Sequence, residues 1–190
     1  MEVTDPLATF HEWFEEAREA GVEVPEAMTL ATADADGRPS ARMLLLKGAD
    51  ERGFTFFTGY ESRKGRELAE NPRAALVFYW RPLGRQVRVE GTVRRLSSEE
   101  SDAYWETRPV RSRAAAAASR QSEPVASRDE LETEFERQLA LGEPERPERW
   151  GGYLLEPEAI ELWQHQDDRL HERIRFTRAR VGWRQDLLSP

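Results

Sequence analysis

Four short segments of this 190-residue chain carry side chains that could do chemistry together. In Arg42-Met43-Leu44-Leu45-Leu46-Lys47 a cation stands at each end of an apolar stretch. Read as a strand, Arg42, Leu44 and Leu46 point one way and Met43, Leu45 and Lys47 the other. Amphipathicity accounts for the leucines and leaves the two charges unexplained. Phe57-Thr58 followed by Ser62-Arg63-Lys64-Gly65 reads as a strand end running into a helix N-terminus. Free backbone N–H groups beside two cations suit a phosphate, and an ordinary capped helix with basic residues explains the segment equally well. Tyr104 and Arg108 share one helix face, with Ser112 and then Gln121-Ser122 beyond, so two hydroxyls and a guanidinium can close on one phosphate. Trp163-Gln164 precedes Arg169-Leu170-His171-Glu172-Arg173, where Arg169, His171 and Arg173 fall on one strand face at period two. Three cationic or titratable groups side by side repel unless an anionic ligand lies over them. This segment is the hardest to explain by structure alone.

The elements that must position these residues follow from capping and periodicity. Thr4 and Asp5 cap a helix with Pro6 at its first position, ended by Gly21. Ala27–Ala33 and residues 40–47 read as a hairpin, and residues 54–58 as a strand after the turn at 50–53. A short helix over 62–70 stops at Asn71-Pro72, and strands follow over Arg73–Trp80 and 85–96. Ser97 and Ser127, each with a glutamate three residues on, open two helices. A third helix, over 112–119, lies between them. The remainder reads as strands at 152–155, 159–164 and 174–178, with Trp183–Leu187 closing the sheet. Antiparallel hairpins without regular strand–helix alternation predict a mainly β (α+β) fold, a closed or split β-barrel with peripheral helices. The length predicts one domain over 1–190, with an N-terminal helix inside 1–22 and a helical insertion at 97–142.

Composition narrows the ligand. Lys+Arg number 28 and Asp+Glu 36, net −8, which argues against nucleic acid or an anionic membrane as partner. The charge is uneven: residues 1–40 hold 10 acids and 2 bases, 41–120 hold 10 acids and 16 bases, and 121–190 hold 16 acids and 10 bases. A basic middle in an acidic chain suggests a bound anion, although solvated arginines account for it as readily. Only two of the basic residues are lysines, Lys47 and Lys64, and both lie in that middle. Lysine and arginine are not interchangeable where a compact ammonium must fit. There is no cysteine, and the longest apolar run, 74–80, is far short of the ~20 residues a membrane helix needs. No signal-peptide pattern opens the chain, so a cytoplasmic protein is expected. No nucleotide-loop or nucleophile-elbow motif occurs, and the three histidines, including His11 on the polar side of the first helix, predict no metal site.

With these segments in order, the chain resembles the pyridoxine/pyridoxamine 5′-phosphate oxidase family. The resemblance rests on 42–47, Ser62-Arg63-Lys64, Asn71-Pro72-Arg73, Arg85-Gln86-Val87, Arg108-Pro109, 119–122, Trp150-Gly151-Gly152, Trp163-Gln164, 169–173 and the final Leu188-Ser189-Pro190. It implies an FMN-binding split barrel working as a homodimer. It implies oxidation of pyridoxine or pyridoxamine 5′-phosphate to pyridoxal 5′-phosphate, with O2 as acceptor and hydrogen peroxide as by-product. By that resemblance Arg42, Arg63 and Lys64 would hold the FMN phosphate and ribityl chain. Met43, Leu44, Lys47, Phe57, Thr58, Gln86, Gln121, Ser122, Trp163 and Arg173 would complete the flavin site. Lys47, Tyr104, Arg108 and Ser112 would clamp the substrate phosphate, with Arg169 and His171 over the ring as the catalytic pair. The acidic first 40 residues stand where such proteins often have a basic arm. The loop 164–168 lacks the glycines usual after Trp-Gln, and Phe57 replaces a common tyrosine. A related flavin oxidase of phenazine-type biosynthesis is one alternative, in which the substrate-phosphate lysine tends to be lost. A flavin- or haem-binding split barrel without turnover is another, to which Arg169 and His171 would be of no use.

Overall fold

The computed structural model describes residues 3–190. The chain runs α1 (Pro6–Glu19), β1 (Ala27–Ala33), β2 (Pro39–Leu45), β3 (Gly48–Asp50), β4 (Gly53–Gly59), α2 (Arg63–Glu70), β5 (Arg73–Trp80), a 3-10 turn (Arg81–Leu83) and β6 (Arg85–Arg95). It continues through α3 (Ser98–Thr107), α4 (Val110–Ala118), α5 (Arg128–Ala140), β7 (Trp150–Gln164), β8 (Glu172–Arg178) and β9 (Trp183–Leu187). Every strand pair is antiparallel, in the order β2-β1-β5-β6-β7-β4-β3, with β8 also on β7 and β9 beyond it. The first half of β7 pairs with β4 and its last third with β8, while most of its length lies against β6. One long strand serving two neighbours along the same edge forces the sheet to curl.

The sequence explains why α1 closes the inside of that curl. The Asp5 carboxylate accepts from the N–H groups of Leu7 and Ala8 at 2.9 and 3.3 Å, satisfying donors that the first turn leaves free. Pro6 needs no such partner. Phe10, Trp13 and Ala17 then fall on one buried stripe. Phe10 meets Phe54 and Phe78 edge-on, with ring centroids 5.0 and 5.1 Å apart. Its truncation to alanine would cost about 3–5 kcal/mol, the usual figure for a buried aromatic. Residues 1–2 of the expected N-terminal segment lie outside the described residues. No described helix is long and apolar enough to cross a membrane.

Three expectations are corrected. The separate strands at 152–155 and 159–164 are one strand, β7, although Pro157 lies within it. The register shifts between Glu90 and Gly91, which leaves Glu158 without a partner next to Pro157, and bulges are where strands tolerate proline. Gly91 is required there, because a Cβ would lie 2.0 Å from the Glu156 carbonyl oxygen. The strand expected to reach Lys47 ends at Leu45, and the Lys47 N–H donates to the Thr55 carbonyl at 2.8 Å in the link to β3. Arg169, His171 and Arg173 do not share a strand face. β8 begins at Glu172, and Arg169 sits in a turn at φ 68°. The Asp168 carboxylate accepts the Leu170 N–H at 2.9 Å there, a local side-chain bond that breaks strand geometry.

Candidate functional site

Functional side chains gather in two places. The first lies where β4 ends and α2 begins. Ser62 caps α2 by accepting the Gly65 N–H at 3.3 Å, which leaves the helix N-terminus against the end of β4. Lys64, on the first turn, is buried at 5% exposure. Its ammonium donates to Thr58 Oγ1 and Ser62 Oγ, both at 3.2 Å, and to Gln121 Oε1 at 3.0 Å. Burial and the nearby Arg42 cation push its pKa down to about 8, against an opposing pull from Glu67. Arg42, on β2, donates to Thr32 Oγ1 at 2.6 Å and to Ser40 Oγ at 2.5 Å. Arg42 and Arg63 both reach the buried Glu67 carboxylate, at 3.2 and 2.9 Å.

Next to this cluster lies a cavity of about 510 Å³. Its wall includes Met43, Leu44, Lys47, Phe57, Thr58, Tyr104, Arg108, Ser112 and Gln121. Phe57 stacks on Tyr104 with centroids 3.8 Å apart and the rings 19° from parallel. That stack needs a slim neighbour: a Cβ on Gly152 would lie 2.8 Å from Phe57 Cε1. The Arg108 guanidinium lies 4.5 Å from the Trp150 ring centroid and 5.1 Å from that of Trp105. Its Nη1 is buried without a hydrogen-bond partner. Burial lowers the pKa of Arg108 and raises that of Tyr104. An unpaired buried donor of a charged group costs more than the roughly 1–3 kcal/mol of a neutral one.

The second place is the outer face of the sheet. Tyr79, Gln86, Trp163 and Arg173 form one row directly opposite one another across β5, β6, β7 and β8. Arg173 is held by Glu161, Nε and Nη2 reaching Oε1 at 2.9 and 2.8 Å. Glu161 is buried and also faces Arg88 at 3.5 Å. His171 lies 4.8 Å from Trp163 and 5.1 Å from His165 between ring centroids. The Gln166 N–H donates to His171 Nδ1 at 3.1 Å, so in the neutral ring the proton sits on Nε2. Gln164 clamps the loop instead of facing a ligand: its Oε1 accepts from Arg85 Nε at 2.8 Å and its amide donates to the Leu83 carbonyl at 3.1 Å.

Two family profiles match the chain. One described as "Pyridoxamine 5'-phosphate oxidase" covers residues 14–141, and one described as "Pyridoxine 5'-phosphate oxidase C-terminal dimerisation region" covers 150–190. The chain belongs to the pyridoxamine 5′-phosphate oxidase family. Members of this oxidoreductase family to which it is similar include pyridoxine/pyridoxamine 5′-phosphate oxidases from Rubrobacter xylanophilus and Cupriavidus necator. The first is 57% identical over 98% of this chain and 87% of that protein. The second is 58% identical over 98% and 89%. Among solved structures it resembles PhzG from Burkholderia lata 383 in complex with tetrahydrophenazine-1-carboxylic acid, with TM-score 0.95 and 39% identity over 99% of this chain and 94% of that one. A pyridoxamine 5′-phosphate oxidase-related, FMN binding protein from Nostoc punctiforme shares the split-barrel fold, with TM-score 0.79 and 18% identity over the whole of both chains.

Of the residues that the family resemblance singles out, Met43, Leu44, Lys47, Phe57, Thr58, Tyr104, Arg108, Ser112 and Gln121 meet around the cavity. Arg42, Arg63 and Lys64 join them through the hydrogen bonds of Thr58, Gln121 and Glu67. Gln86, Trp163, Arg169, His171 and Arg173 do not line it, and Ser122, exposed at φ 74°, is also outside its wall. Sequence reasoning missed Glu67, Ser40, Thr32 and the cavity residue Arg149, and it gave no role to Arg120 and Trp150, which stood among the motifs. For Glu67 a signal was present, since it stands four residues after Arg63 on one helix face.

Proposed function

We propose that the chain is an FMN-dependent oxidase of pyridoxine 5′-phosphate or pyridoxamine 5′-phosphate, forming pyridoxal 5′-phosphate. Bound FMN would supply a two-electron oxidation at the substrate C4′ carbon, with O2 as the final acceptor giving hydrogen peroxide; the amine substrate would in addition take up water and release ammonia. Arg42, Arg63 and Lys64 hold the flavin phosphate and ribityl chain. Met43, Leu44, Lys47, Phe57, Thr58, Gln121 and Ser122 form the near side of the flavin site. The observation that carries the substrate reading is the cavity whose wall brings Arg108 and Lys47 together with Tyr104 and Ser112. A phosphate there meets two cations and two hydroxyls, and charge-assisted bonds of this kind are about twice as strong as neutral ones.

Gln86, Trp163, Arg173, Arg169 and His171 complete the site from a second copy of the chain. Their separation from the cavity within one chain supports a homodimer, as does the match of 150–190 to a dimerisation region. Arg169 and His171 orient the substrate ring for transfer, a positioning task that a rigid site performs by fixing the reacting atoms in place.

A second reading, oxidation of a reduced phenazine precursor, is favoured by the 0.95 TM-score with PhzG. Lys47 and Arg108 weigh against it, since two cations beside one cavity suit a phosphate dianion. A peroxide assay with added FMN decides between them. Peroxide is expected from both phosphorylated vitamers and not from pyridoxine or a dihydrophenazine carboxylic acid. Equal oxidation of pyridoxine and its 5′-phosphate would remove the phosphate clamp, and turnover of the phenazine alone would establish the second reading.

A further inference from the structure

Helix α2 carries one acidic side chain that no ligand-facing role explains. Glu67 is 5% exposed, and its carboxylate is the meeting point of four donors. The Thr32 and Ser40 hydroxyls donate to Oε2 at 2.5 and 2.6 Å. Arg42 Nη2 reaches the same oxygen at 3.2 Å, while Arg63 Nε reaches Oε1 at 2.9 Å. Burial alone would raise the carboxyl pKa, but the bonds from Ser40, Thr32, Arg63 and Arg42 outweigh it and bring the pKa to about 2. Most ion pairs in this chain are different. Arg73–Glu158 and Arg94–Glu156, for instance, join side chains that are roughly half exposed, and such pairs contribute about 0–1 kcal/mol. A buried carboxylate with four donors is a fixed part of the structure.

We propose that Glu67 is a positioning residue that sets Arg42 and Arg63 for the flavin phosphate. The inference rests on the flavin reading above. Two features carry it. Glu67 takes Arg63 by Nε, so both Nη groups of that guanidinium stay available to an oxyanion. It also reduces three adjacent cations, Arg42, Arg63 and Lys64, to a net charge of about +2, which matches a phosphate monoester of −1.5 to −2. Without it Lys64 would face Arg42 with no compensating charge, and the protonated lysine would be harder to keep buried. Glu67 touches no ligand in this scheme; it acts through the two arginines.

The test uses the full-length protein stripped of flavin and titrated with FMN and with riboflavin, which lacks the phosphate, following quenching of flavin fluorescence. Glu67→Gln is expected to weaken FMN by about tenfold or more while riboflavin affinity changes by less than about twofold. Glu67→Asp keeps the charge but is one methylene shorter, and it is expected to weaken FMN several-fold. Equal loss of both flavins would mean that Glu67 merely holds the fold, and would overturn the proposal. So would unchanged or tighter FMN binding by Glu67→Gln, the result if net charge alone mattered, or wild-type affinity in Glu67→Asp. A wild-type protein that binds FMN no better than riboflavin would instead remove the phosphate subsite itself, and the proposal with it.

Discussion

The β4–α2 junction gathers three cations, whereas the outer row of the sheet holds one, Arg173, with Arg169 in the turn before it. At the junction Lys64 and Glu67 are each 5% exposed, and the polar atoms around them are hydrogen-bonded within the chain. On the outer row only Arg173 is firmly held, by the buried Glu161. Tyr79 is 57% exposed, and Arg169 lies exposed in a turn. Preorganised cations grip an anion without losing rotamer freedom at the moment of binding. The outer row has no such preparation within one chain, as expected of residues that are ordered on meeting a second surface. The difference suggests a division of labour: the junction sets cofactor affinity, and the outer row with the His171 loop sets turnover and assembly.

The sharpest way to break that division is Lys64→Ala. It should weaken FMN by about 100-fold or more, the scale of losing a buried charge-assisted contact, and leave the flavin-free protein folded by circular dichroism. FMN affinity within about threefold of wild type would place the phosphate elsewhere. Next in size, Arg169→Leu and His171→Ala should each lower kcat by about 10–100-fold with FMN affinity changed by less than threefold. Parallel loss of flavin binding and turnover would merge the two regions into one.

The smallest effect is a pH dependence confined to the junction. Burial and the Arg42 cation bring the Lys64 pKa down to about 8 in the folded protein, from 10.5 for a free side chain. Between these values the unfolded chain binds the extra proton, so the stability of the flavin-free protein should rise with pH across that window. FMN affinity should fall over the same range as the ammonium is lost. Urea unfolding and FMN titrations at pH 7 and 9.5 check both signs. An affinity that holds steady to pH 9.5 would mean that Lys64 keeps its proton.

Much of the first region was legible in the sequence. Ser62 before Arg63 and Lys64 marked the helix start, and Asn71-Pro72 marked its end, because capping and breaker signals are local. Glu67 was missed although its spacing from Arg63 was visible. An i,i+4 pair is usually a surface pair, and only burial under Thr32 and Ser40 makes this one a hub. The second region was misread locally. The period-two pattern of Arg169, His171 and Arg173 is real in the sequence, but the Asp168 carboxylate caps a turn there and takes Arg169 out of the strand. Pro157 invited a break in β7, and the compensating glycine lies 66 residues earlier, at Gly91, where a local reading has no access to it.

The sequence by itself determined the antiparallel mainly β class, the helix starts and the family, because hydrophobic period, caps and ordered motifs are written along the chain. Tertiary structure alone decided that Lys64 is buried, that Arg108 lines a cavity and keeps one buried guanidinium nitrogen unpaired, and that Trp163 and Arg173 stand away from that cavity. Those outcomes depend on which distant strands lie side by side, and burial, the source of the altered acidities and of the unmet hydrogen bond, exists only after they do.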